Sequence, residues 1–258
     1  MKMRFAVVAT IVTSLSLTFA PLYACAAQSA AEHIALGDRD HAAGKSVEAL
    51  RHYQAAITAD ANNGEALWRA SREVVDLGEF DDARRDSLYK VGEQFARQAV
   101  AASPNSALAH FALAKAIGRH ALTLGTRDRV KFAGEVRQEA LESIRIDSIN
   151  PGALHVMGMW HANIMRLGGV SRFLAKNLLG GKTFGEANWD DAAKSLERAS
   201  ALEPDRITHA LDLAGVYRDK GDKAKAREQF QRALGLKAVE YNDKSYQKQA
   251  EKELAEIK

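Results

Sequence analysis

The chain has 258 residues, enough for one or two ordinary domains with a substantial core. It is rich in alanine and has only four prolines, a composition that favours helices over sheets. Its formal net charge is +3, and without Lys2 and Arg4 the balance is 34 cations against 33 acids. A near-neutral chain gives no argument for nucleic acid as a partner.

Residues 1–26 have the layout of a secretory signal peptide. A short basic start precedes an apolar run from Phe5 to Ala20, and the first acid is Glu32. Ala24-Cys25-Ala26 fits a signal-peptidase site, which predicts cleavage after Ala26, export and a periplasmic location.

Two alternatives for the N-terminus stay open. Residues 22–25 resemble a lipobox, which would make Cys25 a lipid anchor, and the uncharged stretch Phe5–Ala27 is about long enough to span a bilayer. Cys25 is the only cysteine, so cleavage after Ala26 leaves no thiol. That excludes an intramolecular disulfide, a thiolate metal site and cysteine catalysis.

Residues 210–236 carry a two-helix repeat pattern. Small and aromatic side chains recur at helical spacing on both sides of the turn Gly221-Asp222: Leu213, Ala214, Tyr217, Ala226, Phe230 and Ala233. Small residues let two helices approach closely, and Phe230 is predicted to fill the space between them. This is the tetratricopeptide pattern.

Four earlier copies of the same pattern precede it. They occupy residues 33–60, 62–105, 107–148 and 151–205. Two insertions, near 79–90 and 166–188, lie inside repeats, where a solenoid tolerates them because they leave on one surface.

No long linker divides the chain. Residues 27–258 are therefore predicted to form one all-α domain, a right-handed superhelical tetratricopeptide-repeat solenoid of about five helix pairs. The polar tail near 241–258 is predicted to be a capping helix.

Three segments carry a resemblance to a known family. They read GEALWRASREVVDLGE (64–79), INPGALHVMGMW (149–160) and AKNLLGGKTFGEANWDDAAKSLERASALEPD (175–205). Over residues 33–258 the chain resembles the regulator of microtubule dynamics family of tetratricopeptide proteins. The resemblance implies microtubule association, with membrane anchoring in several members, and the N-terminus would make this chain an exported bacterial member.

The sequence gives no sign of an active site. None of the eight histidines has a metal-ligand partner at useful spacing; His155 and His161, six residues apart, lie on different helix faces. LLGGKT lacks the first glycine of a phosphate loop and does not follow a strand. We therefore expect no enzyme activity, no cofactor and no metal.

The first helices of tetratricopeptide repeats line a concave groove. By repeat register, eight residues are predicted to face it: Trp68, Arg72, Phe111, Lys115, Arg119, His155, Met159 and Asn163. The Lys–Asn pairs with which related domains grip a terminal carboxylate are absent. An aromatic and apolar surface with a cationic rim remains, which either packs against neighbouring helices or binds an extended or amphipathic partner.

The second insertion combines cations, apolar side chains and glycine pairs. Its candidate contact residues are Arg166, Arg172, Phe173, Leu174, Lys176 and Lys182. The segment is predicted to close over the groove as a lid; contact with a membrane or an anionic ligand is the alternative.

Two functions remain as hypotheses. The first is a non-enzymatic scaffold that binds a protein or peptide in the groove. The second is a carrier or sensor of an amphipathic anionic molecule such as a phospholipid, whose head group would meet Arg72, Lys115 and Arg119. An open groove favours the scaffold, whereas a continuous enclosed cavity favours the carrier.

Overall fold

A computed structural model describes residues 28–168 and 183–257 of the chain. These residues form eleven α-helices and one short 3₁₀ helix, Thr183–Glu186, with no β-strand among them. The helices are α1 (Ala30–Ala42), α2 (Ser46–Ala59), α3 (Gly64–Gly78), α4 (Arg85–Ala102), α5 (Ala107–Thr123), α6 (Thr126–Ile146), α7 (Pro151–Arg166), α8 (Trp189–Leu202), α9 (Ile207–Lys220), α10 (Lys223–Gly235) and α11 (Asp243–Glu256).

The first ten helices pack as five consecutive pairs. Each odd-numbered helix contacts the next helix in the chain, and each pair then packs on the following pair. The first helices of the second, third and fourth pairs also contact each other in sequence, α3 with α5 and α5 with α7. The five predicted repeats are confirmed as a tetratricopeptide solenoid.

Matching polar caps begin the first helices of three repeats. The side chains of Asn63, Ser106 and Asn150 each accept a hydrogen bond from the backbone NH three residues later. Such caps satisfy an NH group that the helix itself cannot pair. At its C-terminal end, helix α9 stops at Gly221. The φ of Gly221 is 92°, in the left-handed region that glycine adopts at little energetic cost.

Large side chains fill the spaces between paired helices, as the repeat pattern predicts. Tyr53 on α2 and Phe230 on α10 are fully buried. A Cβ atom on Gly37 would lie only 2.5 Å from the Tyr53 ring, so the glycine makes room for the aromatic. The predicted packing role of Phe230 is confirmed by its burial.

The two predicted insertions differ in form. Residues 79–84 separate α3 from α4, and the 18-residue α4 carries the rest of the added length. Of the lid candidates, Arg166 is the last residue of α7. The others, Arg172, Phe173, Leu174, Lys176 and Lys182, lie outside the described residues.

The predicted signal peptide also lies outside the described residues, because residues 1–27 are not among them. Within 28–168 and 183–257, no helix has the length and apolar character needed to cross a membrane.

The chain's C-terminal part returns to its first repeats. Helix α11 packs on α9 and α10, with Tyr246 and Ala250 buried. The Asn242 side-chain amide donates a hydrogen bond to the backbone oxygen of Asp76 on α3, over 2.7 Å. The Tyr246 ring meets the Phe80 ring edge-on, with centroids 5.2 Å apart. We call residues 239–246 the strap, because they connect the C-terminal part of the solenoid to its second repeat.

Candidate functional site

The concave face holds a partly open chamber of about 570 Å³. Its walls are the first helices α3, α5, α7 and α9, with α6 and the 3₁₀ helix on one side and the strap on another. The strap therefore converts part of the groove into a bounded chamber.

All eight predicted groove residues line this chamber. They are Trp68, Arg72, Phe111, Lys115, Arg119, His155, Met159 and Asn163, and Arg166 joins them from the end of α7. The structure therefore brings these eight predicted side chains together around one cavity.

Further lining residues carry charged or polar groups that were not predicted from the sequence. Arg206 and His209 belong to the last repeat, where the same register could have indicated them. Glu240, Asn242 and Tyr246 belong to the strap, which has no repeat register.

One half of the chamber is apolar. Its lining includes Leu108, Phe111, Leu122, Val130, Ala133, Val156, Met159, Trp160 and Phe184. Trp160 is fixed there, since its ring NH donates to the backbone oxygen of Ala133 over 2.7 Å. The Phe184 ring stacks on it at 6.2 Å, and the Arg137 guanidinium lies over it at 5.5 Å. Two leucines of the lining remain exposed at the opening of the chamber, which we call its mouth. The exposed fractions are 40% for Leu108 and 42% for Leu122.

The other half is charged, and its cations are paired. Lys115 lies 2.7 Å from Asp76, and Arg119 lies 2.8 Å from Glu79. In both pairs the cation is on α5 and the acid is on or just after α3, so the bridges cross between neighbouring repeats.

Three more lining cations have acid partners. Arg72 contacts Glu73 at 2.8 Å, Arg166 contacts Asp219 at 2.7 Å, and Arg206 contacts Glu240 of the strap. The predicted cationic rim is thus balanced by carboxylates. A sixth lining cation, Arg129, donates instead to the backbone oxygens of Leu122 and Leu124.

The buried pairs shift the pKa values of their carboxyl groups in opposite directions. Burial raises the pKa of Asp76, but the charge and hydrogen bond of Lys115 outweigh it, so the net pKa is lowered. For Glu240 burial dominates over the attraction of Arg206, and the pKa is raised. The charged half is therefore held together by strongly interacting, poorly solvated groups.

No three histidine, cysteine, aspartate or glutamate side chains come together as metal ligands within the described parts of the chain. The chamber's polar groups are instead engaged with one another.

The sequence of the chain matches a known protein family over most of its length. The family model described as Regulator of microtubule dynamics protein 1-3 matches residues 33–258. The chain belongs to this family.

Curated members of the family are similar over most of the chain. Regulator of microtubule dynamics protein 1 of Mus musculus is 23% identical over 195 residues, covering 74% of this chain and 63% of the mouse protein. Its namesake in Caenorhabditis elegans is 24% identical over 181 residues, covering 70% of this chain and 79% of the worm protein. The chain thus spans less than two thirds of its mouse relative.

A solved structure supports the fold. A thermophilic TPR protein of Thermus thermophilus superposes with a TM-score of 0.62 and 21% identity, covering 86% of this chain and 98% of that one. The fold of this chain is thus that of a helical-repeat solenoid.

Proposed function

We propose that this chain is a non-enzymatic binding protein that holds an amphipathic, lipid-like molecule in its chamber. The apolar part of the guest lies against Phe111, Met159 and Trp160, and its polar end faces the ion pairs around Lys115 and Arg206. The chamber carries this proposal, because a continuous and partly enclosed cavity suits a small ligand better than an extended peptide.

The size and composition of the chamber support this function. A volume of about 570 Å³ falls within the range of about 300–1,000 Å³ that is usual for ligand pockets. Mostly apolar walls with a few convergent polar groups are also typical of such pockets. The apolar half offers burial to a hydrocarbon chain, which gains about 0.8 kcal/mol for each CH₂ group removed from water.

The ion pairs in the chamber wall indicate which kind of lipid head group can bind there. An acidic head group bound by Arg72, Lys115 or Arg119 has to compete with a carboxylate that already contacts the cation. Separating a poorly solvated pair is costly because it leaves the displaced carboxylate without its counter-charge. A zwitterionic or neutral head group meets the balanced wall without that cost, so we favour it over an anionic one.

A peptide partner is the second candidate, favoured by the exposed apolar side chains Leu108 and Leu122 at the mouth. A short peptide segment could insert one apolar side chain there. An extended peptide along the groove would have to displace the strap and break the Asn242–Asp76 hydrogen bond.

Native mass spectrometry of the purified full chain tests the proposal. We expect a bound species of lipid mass, and we expect the delipidated chain to extract phosphatidylcholine from vesicles more readily than phosphatidylglycerol. A preference for phosphatidylglycerol would contradict the charge argument. No bound lipid before or after exposure to either vesicle would contradict the proposed function, and a co-purifying peptide in the same spectra would support the second candidate.

A further inference from the structure

Two histidines in the chamber wall contact each other. His155 lies on α7 and His209 on α9, with ring centroids 4.7 Å apart and Nδ1 atoms 2.7 Å apart. Each ring also reaches a carboxylate: His155 Nε2 lies 2.9 Å from Asp212, and His209 Nε2 lies 3.1 Å from Glu203. The four side chains form one continuous row of hydrogen-bond contacts.

This row requires three protons on its two rings. A carboxylate accepts hydrogen bonds but cannot donate, so both Nε2 atoms carry a hydrogen. A separation of 2.7 Å between the Nδ1 atoms is a hydrogen-bond distance and requires one hydrogen between them. Two neutral imidazoles supply only two hydrogens, so one of the rings is an imidazolium.

The surroundings assign the charge to His155. His209 is 4% exposed, and burial lowers its pKa to about 4 despite the hydrogen bond to Glu203. His209 is therefore neutral at physiological pH, with its hydrogen on Nε2 and a lone pair on Nδ1. His155 then donates from both nitrogens, to His209 and to Asp212.

Other charged or titratable groups face the row from several helices. Arg119 on α5, Arg166 at the end of α7 and Tyr246 on α11 act on Asp212, and Arg206 at the start of α9 acts on Glu203 and His209. The arginines disfavour a further positive charge, but each has an acid partner of its own: Glu79, Asp219 and Glu240. Asp212 and Glu203 therefore remain as the counter-charges of the histidines.

We propose that His155 and His209 share one extra proton and thereby form a latch that ties α7 to α9, so that the chamber wall loosens when this proton leaves. Its effect on a guest rests on the function proposed above. Loss of the proton leaves two lone pairs facing each other at Nδ1, or a lone pair of His155 facing the Asp212 carboxylate. Since α7 and α9 are first helices of neighbouring repeats, the broken contact lies in the chamber wall itself. The latch is closed below the pH at which the proton leaves and open above it.

Nitrogen NMR of the full chain, with labelled histidine and a titration from about pH 5 to 9, tests the shared proton. We expect one ring to carry hydrogens on both nitrogens at the acidic end and to lose one as the pH rises. Asp212→Asn removes a counter-charge and should move this midpoint to lower pH by about one unit. The control Asp40→Asn, which alters the partner of His52 on α2, should leave it unchanged. Two neutral rings throughout the titration would overturn the proposal.

Hydrogen exchange and lipid release test the loosening separately. Protection factors, which correct for the intrinsic pH dependence of exchange, should fall for amides in Leu154–Ile164 above the midpoint, and His155→Gln should remove that fall. A chain loaded with fluorescent phosphatidylcholine should release it to phosphatidylcholine vesicles about tenfold faster above the midpoint, as expected for the loss of one charged hydrogen bond. Protection factors that do not change across the midpoint would overturn the latch. Failure to load lipid, with the NMR and exchange results as expected, would refute the proposed function and leave the latch standing.

Discussion

The side chain of Asn242 donates a hydrogen bond to the backbone oxygen of Asp76, 166 positions earlier in the sequence. In a simple solenoid each repeat contacts only its neighbours, so residues this far apart do not meet. Here the contact joins the strap to the second repeat, and the Arg206–Glu240 pair secures the strap to the start of α9. The strap thus bounds the chamber and also couples the fifth repeat to the second.

Replacing Asn242 by alanine should loosen the strap. The variant loses one nearly buried hydrogen bond, so we expect the free energy of unfolding to fall by about 1 kcal/mol. Hydrogen exchange should speed up in residues 239–246 and at the end of α3, because both sides of the contact are released. The exposed Asn62→Ala is the matched control. Faster exchange confined to α11 would show that the strap does not couple the two regions.

Phe230→Ala should destabilise the C-terminal repeats first. The ring is fully buried on α10, and removal of a buried phenylalanine ring costs about 3–5 kcal/mol. Because stability in a repeat array is nearly a sum of neighbour terms, exchange should increase earliest in α9–α11. Uniform loosening of all five helix pairs would contradict this.

Substitution by alanine should lower the stability of the fold at one glycine and raise it at another. A Cβ atom at Gly158 would lie 2.6 Å from Leu196 Cγ and 3.0 Å from the backbone oxygen of Ala192, so Gly158→Ala should force α7 and α8 apart and cost about 1–3 kcal/mol. Gly134 on α6 has open space there, so Gly134→Ala should stabilise the chain by about 0.5–1 kcal/mol through helix propensity. Chemical denaturation of both variants measures the difference. Equal effects of the two substitutions would refute the packing argument.

Glu73 should make the fold sensitive to acid. Burial raises the pKa of this fully buried carboxyl, but the His41 hydrogen bond and the Arg72 charge outweigh it, and the net pKa is lowered. The unfolded chain therefore takes up the proton more readily, so this contribution is present above the unfolded pKa of about 4.3 and is lost as the pH falls below it. Glu73→Gln should be less stable at pH 7, by about 1–3 kcal/mol, and should lose less stability between pH 6 and pH 3.

Urea denaturation as a function of pH checks the Glu73 prediction, with the exposed Glu48→Gln as control. If Glu73→Gln lost as much unfolding free energy between pH 6 and pH 3 as the unsubstituted chain, Glu73 would not be a cause of the acid sensitivity.

The repeat pattern predicted the fold and eight of the residues that line the chamber, for a physical reason. Helical periodicity determines which side chains of a first helix share a face, and the stacking of repeats places Trp68, Phe111 and His155 on one wall. The strap contacts do not follow a local period, so Asn242 could not be paired with Asp76 from the sequence. The partners of the cations were missed for the same reason: Lys115 and Asp76 lie on different repeats, and only packing shows that they meet.

The chamber's role as a lipid-like binding site is tested most directly by filling it. Gly118 on α5 lines the chamber, and a Cβ atom there meets only Val136, at ordinary contact distances of 3.8 and 3.9 Å. Gly118→Leu should therefore leave the fold stable while occupying guest volume, and the exposed Gly134→Leu on α6 adds the same side chain outside the chamber. Binding of fluorescent phosphatidylcholine should weaken at least tenfold in Gly118→Leu and stay unchanged in Gly134→Leu. Equal binding by both folded variants would contradict the assignment of the chamber as the binding site.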